Sequence, residues 1–277
     1  MSKVWFVTGS SRGFGAELVR AVLAHGDRVV ATARKPEQLL ALIEGHEDRA
    51  RVFELDVTDA EAAAAAVDFA VAEFSRIDVV VNNAGYANSA PIEEVDPADF
   101  RAQIEANLFG VVNVTRAALP VLRAQRSGVF VQFSSIGGRV GGTPGLGAYQ
   151  AAKFGVEGFS EVLAAEVAGF GVKVIIVEPG AFRTDWMGSS MAMQDPGPDY
   201  RDALDFMHEI RRSSNGSQPG DPARAAHVII DVVESPDPPR RLLLGSDAVD
   251  LALASGAERN EEANRWAAVS RSADFSE

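Results

Sequence analysis

Tyr149 and Lys153 stand four residues apart in Tyr149-Gln150-Ala151-Ala152-Lys153, a spacing that puts both side chains on one face of a helix. A phenol with an unperturbed pKa of about 10 is a poor acid–base catalyst at neutral pH. A neighbouring ammonium favours the phenolate and brings that pKa toward the working range. Upstream, an apolar run over 129–133 leads into Ser134-Ser135. Alternation along a strand sends the two hydroxyls to opposite faces, so only one can serve beside the phenol. Ser135 is the expected one, placed to hydrogen-bond a substrate oxygen against Tyr149. A Tyr-x-x-x-Lys pair alone carries little weight, because such pairs occur on many exposed helices, and its meaning depends on what surrounds it.

The opposite end of the sequence supplies that context. A short apolar run at 4–7 is followed at once by Thr8-Gly9-Ser10-Ser11-Arg12-Gly13-Phe14-Gly15 and then by an amphipathic helical stretch. Glycines permit a tight turn and close approach of backbone to a pyrophosphate, and a helix N-terminus offers free N–H groups and a favourable dipole. The contacts expected of this turn come from Gly9, Ser11, Arg12, Gly13, Phe14 and Gly15. The second apolar run closes on Ala31-Thr32-Ala33-Arg34-Lys35. A site for NAD would place an acidic residue here to hold the ribose 2′-hydroxyl. Arg34 instead suits an adenosine 2′-phosphate, which a guanidinium grips through a fork of donors. Arg12 is placed to flank the same phosphate, so NADP(H) is the expected cofactor. Asp56-Val57 and Asn82-Asn83-Ala84-Gly85 follow the third and fourth runs, at strand ends where ligands bind in open α/β sheets.

These residues need a scaffold that brings strand ends together, and the rest of the chain supplies one. Continuous apolar runs at 4–7, 28–33, 52–55, 77–81, 129–133, 172–177 and 242–244 alternate with helical sequence, including 36–44, the alanine-rich stretch around 62–66 and a long stretch over 97–125. Unbroken apolar runs mark strands buried on both faces of a parallel sheet. The alternation predicts a doubly wound, seven-stranded parallel sheet with helices on both faces, of Rossmann type, in a single α/β domain over 1–277. Two regions depart from this rhythm. Between Gly137 and Gly147 six of eleven residues are glycine. Residues 184–222 are polar and turn-rich, with Pro196-Gly197-Pro198 and Asn215-Gly216, yet hold Trp186, Phe206, Met187, Met191, Met193 and Met207. A long loop in a compact domain is usually functional or disordered, and flexible thioethers suit a lid over an apolar ligand, with a small satellite core beneath a surface excursion as the alternative. A C-terminal extension over 248–277 is expected to be helical.

Composition narrows the function classes. The net charge of −13, from 26 basic and 39 acidic residues, argues against nucleic acid and against an anionic membrane surface. The chain has no cysteine, which removes disulfides, thiolate metal sites and a cysteine nucleophile. Its four histidines are scattered without ligand spacing, so no metal site is expected. No apolar run has the length of a membrane span and the N-terminus lacks a signal-peptide layout, which makes a cytoplasmic location the default expectation.

The ordered set of Thr8–Gly15, Asp56, Asn82–Gly85, Asn107, Ser135, Tyr149, Lys153, Pro179-Gly180 and Thr184 resembles the short-chain dehydrogenase/reductase family. Ser134-Ser135-Ile136-Gly137-Gly138 and Leu244-Gly245-Ser246-Asp247-Ala248 look most like members akin to 17β-hydroxysteroid dehydrogenases. The resemblance implies that Tyr149 is the general acid in reduction and the base in oxidation. Lys153 would hold the nicotinamide ribose and lower the tyrosine pKa, and Asn107 would support a water in a proton relay. Thr184 would bind the nicotinamide carboxamide. Asn83, Ala84 and Gly85, with Pro179, Gly180 and Phe182, would line the cofactor cleft. It further implies a dimer or tetramer formed through the helix that carries Tyr149, where Ala151, Ala152, Ala164 and Ala165 permit close approach or else pack on the sheet. One departure stands out: Ser135 precedes Tyr149 by fourteen residues, one more than the family pattern, and Ser134 would lengthen the gap further. The expected substrate is an apolar, aromatic or steroid-like ketone or the matching alcohol. A non-catalytic NADP(H) sensor is the alternative of a different class.

Overall fold

The computed structural model describes residues 2–275 apart from Ser189 and Asn215, and of Met187 the backbone alone. The elements run β1 (Val4–Val7), α1 (Gly13–His25), β2 (Arg28–Ala33), α2 (Leu40–Ile43), β3 (Ala50–Glu54), α3 (Ala60–Phe74) and β4 (Val79–Asn82). Then follow α4 (Pro97–Ile104), α5 (Gly110–Gln125), β5 (Gly128–Phe133), α6 (Gly147–Val167), β6 (Val172–Pro179), α7 (Arg201–Ser214), α8 (Pro222–Glu234), β7 (Arg241–Leu244) and α9 (Ser246–Arg271). All strand pairs are parallel and the sheet order is β3-β2-β1-β4-β5-β6-β7. The chain therefore winds outward in one direction from β1 and then in the other from β4. The crevice between the carboxyl ends of β1 and β4 is the switch point at which such sheets bind ligands.

The sheet is apolar on both faces because both are covered. Trp5 and Val7, with Val29, Ala31, Val79, Val131 and Val177, face α1 and α8. Val4 and Phe6, with Val30, Val80, Phe130 and Val174, face α3, α5 and α6. Full burial of such side chains stabilises by about 1.5–3 kcal/mol each. That explains why the strands read as unbroken apolar runs rather than alternating ones.

Three features differ from expectation. The strands expected at 52–55 and 77–81 lie at Ala50–Glu54 and Val79–Asn82. Asp78 falls outside β4, its carboxylate accepting from the Val4 N–H at 2.9 Å. The helical stretch over 97–125 is broken by a wide π turn at Glu105–Phe109. There the Asn107 amide donates to the Gln103 carbonyl at 2.8 Å, competing with the backbone ladder for that acceptor. Finally, the polar segment over 184–222 is not a loop throughout: it contains α7, fourteen residues long. The Asn215-Gly216 turn signal falls partly outside the described residues.

Candidate active site

A cavity of about 730 Å³ opens at the switch point. It is lined at one end by Gly9, Ser11, Arg12, Gly13, Phe14, Arg34, Asp56 and Val57, and along its length by Asn83, Ala84 and Gly85. Asn107, Ser135, Tyr149, Lys153, Pro179, Gly180, Phe182 and Thr184 line the other end. Of the residues expected to bind cofactor or act in catalysis, Gly15 alone does not line it. Its role is packing: a Cβ at Gly15 would lie 2.2 Å from the Gly9 carbonyl oxygen.

The first end is built from backbone. Gly9 has φ +66° and a Cβ there would lie 2.8 Å from Ala84 Cα, so the turn closes only with glycine. Thr8 ties it down: its hydroxyl accepts from the Asn83 and Ala84 N–H groups at 3.0 and 3.1 Å. Asn83 donates to the Thr8 and Gly9 carbonyls at 3.0 and 3.1 Å. The start of α1 carries no side-chain cap and no acid in its first turn. By contrast α3, α4 and α8 are capped by Asp59, Asp96 and Asp221. The amino end of α1 thus offers free N–H donors and positive dipole to the cavity, the arrangement that receives a phosphate. Arg12 and Arg34 lie exposed at this end, and among the described residues neither forms an ion pair. Asp56 is exposed and its carboxylate folds back on its own loop, accepting from the Thr58 N–H and hydroxyl at 3.0 and 2.8 Å.

The second end is built from side chains. Tyr149 and Lys153 lie on the first turns of α6, both buried. Burial pushes the Tyr149 phenol up to about 12, with the Ser135 hydroxyl pulling in the opposite direction. Burial also pushes the Lys153 ammonium down to about 8, opposed by the Glu157 carboxylate one helical turn away. Lys153 donates to the Phe133 carbonyl at 2.8 Å. Ser134 and Ser135 follow the last residue of β5. Ser135 is half-buried, and its hydroxyl accepts from the Gly137 N–H at 3.0 Å, starting a single turn over Ile136–Gly138. Ser134 is buried, its hydroxyl packed against Gly138. The loop between Gly138 and α6 takes up the long Ser135-to-Tyr149 interval.

Asn107 is fully buried in the π turn, donating to the carbonyls of Tyr86 and Gln103, both at 2.8 Å. Its Oδ1 has no hydrogen-bond partner. A Cβ on Gly85 would lie 2.5 Å from that oxygen and 3.6 Å from Lys153 Nζ. Glycine there keeps the space between amide and ammonium open, and the unpartnered acceptor suits a bridging water. The residues present therefore fit a dinucleotide on three counts: uncapped helix donors, a glycine cradle and an unused buried acceptor beside Lys153.

Trp186 packs on Tyr149 with ring centroids 5.2 Å apart. Together with Ala87, Leu146, Met191 and Met193 it forms a small apolar cluster over the phenol. This segment is pinned by backbone hydrogen bonds from Ser89 N–H to the Ala192 carbonyl and from Gln194 N–H to the Ser89 carbonyl, both 2.8 Å. From α7, Arg211 donates to the Ser89 hydroxyl at 2.8 Å and His208 sits 3.0 Å from it. Phe206 points outward and is exposed. Glu105, Ala106 and Ser190 also line the cavity. Sequence reasoning missed these three, because nothing in a continuous helical pattern marks a π turn and Ser190 lies in turn sequence.

A family model described as short chain dehydrogenase matches residues 3–195. The chain is 48% identical to the oxidoreductase BOA17 of Botryotinia fuckeliana, over 98% of each chain. Among solved structures, a short-chain dehydrogenase from Streptomyces avermitilis superposes with a TM-score of 0.92 at 40% identity, covering 99% of this chain and 98% of that one. A short chain dehydrogenase from Burkholderia cenocepacia in complex with NADP superposes with a TM-score of 0.75 at 28% identity, covering 95% and 97%.

Proposed function

The chain belongs to the short chain dehydrogenase family and is an oxidoreductase, and from that premise we propose that it is an NADP(H)-dependent reductase of apolar ketones, working in reverse on the matching secondary alcohols. A single observation carries the reading: Tyr149, Lys153, Ser135 and Asn107 converge at one end of a cleft whose other end is a glycine turn flanked by two cations. A bound NADPH supplies the hydride, and the protein supplies the proton and the orientation.

Held up near 12 by burial, Tyr149 is a phenol at neutral pH, the form that donates a proton to a carbonyl oxygen. Ser135 donates a hydrogen bond to that same oxygen and fixes it against Tyr149. In oxidation the phenolate is required, and the charges of Lys153 and an oxidised nicotinamide favour it. Lys153 holds the ribose hydroxyls, and Asn107 Oδ1 holds the water that passes protons between Lys153 and solvent. Arg34 and Arg12 grip the 2′-phosphate at the far end. The Trp186, Met191 and Met193 cluster walls the phenol with apolar surface, which suits an aromatic or steroid-like substrate and excludes water. Residues 184–222, helix α7 included, act as the lid of a single-domain enzyme. The outer face of α6, with Ala151, Phe154, Val162 and Ala165 exposed, is the self-association surface, whereas Ala152 and Ala164 pack inward.

Titration with NADPH and NADH followed by fluorescence, then a ketone panel read by nicotinamide absorbance, tests the reading. Tighter NADPH binding with turnover of apolar ketones is the expected result. Tight binding with no turnover over a broad panel would replace the enzyme by an NADP(H) sensor.

A further inference from the structure

The Leu244-Gly245-Ser246-Asp247-Ala248 motif takes no part in the chemistry above, yet it lies directly behind a turn that lines the cleft. Asp247 lies in the first turn of α9. Its Oδ2 accepts from the Ala181 N–H at 2.7 Å, and the Gly180 N–H donates to the Leu244 carbonyl at 2.9 Å. The turn that leaves β6 is thus held from behind by the start of the C-terminal helix. Contact is close: a Cβ on Gly180 would lie 2.3 Å from Asp247 Oδ1, and one on Gly245 would lie 2.6 Å from it. Pro179, Gly180, Ala181 and Phe182 present the opposite side of this turn to the cavity. Phe182 in turn packs on Phe14 of the glycine turn, ring centroids 4.9 Å apart.

Asp247 breaks a local rule, because its Oδ1 is buried without a hydrogen-bond partner. A carboxylate oxygen buried without a partner costs free energy, and such violations collect at functional sites. We propose that Asp247 is the positioning residue for the nicotinamide end of the cleft: its carboxylate fixes the 179–182 turn that supports the ring, and so couples the C-terminal helix to cofactor geometry. The proposal rests on the NADP(H) reading given above.

The test is fluorescence titration of wild type, Asp247→Ala and Asp247→Asn with two ligands, NADPH and adenosine 2′,5′-bisphosphate, which lacks the nicotinamide. Asp247→Ala is expected to weaken NADPH about tenfold, the loss of one charge-assisted hydrogen bond, and to leave the bisphosphate within about twofold. Asp247→Asn keeps a side-chain oxygen to accept from Ala181, without the charge, and is expected to restore NADPH binding to within about threefold of wild type. Should Asp247→Ala fail to fold, Gly180→Ala decides, because its Cβ displaces the same carboxylate and predicts the same selective loss. Equal weakening of both ligands, no weakening of either, or a loss in Asp247→Asn as large as in Asp247→Ala would overturn the positioning role. If wild type itself binds neither ligand, the cofactor reading falls first and this proposal with it.

Discussion

The two ends of the cleft are finished to different degrees. At the glycine turn the groups that would meet a pyrophosphate are main chain, locked by Thr8 and Asn83 and by contacts that leave no room for a Cβ at Gly9 or Gly15. At the tyrosine end the groups are in place, and their ionisation suits reduction, which uses the phenol, but not oxidation, which needs the phenolate. Burial outweighs the Ser135 hydroxyl and the Glu157 carboxylate, leaving the phenol pushed up to about 12 and the ammonium down to about 8, each with its charged form disfavoured. The first end is preorganised by geometry. On the proposed reading the second needs the charge and hydrogen bonds of a bound cofactor to reach the phenolate that oxidation requires.

The sharpest way to break this contrast is at the phenol. Tyr149→Phe removes the proton donor and leaves the ring packed on Trp186. Turnover should fall roughly 10²–10⁴-fold, the range for loss of general acid–base catalysis, while NADPH binding by fluorescence stays within about twofold. Retained activity would remove Tyr149 from the mechanism. A matching measurement is the Tyr149 ionisation read by ultraviolet difference absorbance. It should lie well above pH 10 in the free protein and move down when NADP⁺ is added, because positive charge favours phenolate. An unmoved titration would mean that the tyrosine end is complete without cofactor.

The same contrast explains what the sequence made legible. Strands and glycine turn could be read because apolar runs and glycines report backbone requirements directly: Val4 to Val7 and Gly9 to Gly15 mean nearly the same thing in any fold. Tyr149 and Lys153 could be read because their spacing lies within one helix. Helix α7 was masked. Ala203, Phe206, Met207 and Ile210 recur at helical spacing, but the turn signals at Pro196-Gly197-Pro198 and Asn215-Gly216 on either side outweigh them, and two of the three residues on its buried side, His208 and Arg211 beside Leu204, are polar. The π turn around Asn107 arises from one side chain taking the Gln103 carbonyl, which leaves no periodic trace. Asp247 reads as an ordinary helix-start acid, and only the approach of Gly180 from another element gives it a role.

A smaller effect is expected at the nucleotide end, where the side chains are exposed and solvent screens them. Arg34→Asp should move the NADPH-to-NADH preference roughly 10–100-fold toward NADH, from lost phosphate hydrogen bonds and an acid now facing the ribose. Wild-type affinity for NADPH should also weaken with added salt more than affinity for NADH does. A preference unchanged by the substitution would clear Arg34 of contact with the 2′-phosphate and leave Arg12 as the cation to test next.

The remaining expected signal concerns stability rather than rate, and it isolates the cost of holding Lys153 in place. Its folded pKa, near 8, lies below the ordinary value of 10.5. Between those two values the unfolded chain retains a proton that the folded chain releases, so this residue makes stability rise with pH. Below about pH 8 the full cost of the buried charge is present. Lys153→Met removes the titration, so the stability of the variant relative to wild type should be highest at neutral pH and decline as pH rises from about 8 to 10.5. Urea midpoints of both proteins across that window measure it. A difference that does not change with pH would mean that Lys153 is not desolvated, and that the tyrosine end is as complete without its cofactor as the glycine turn.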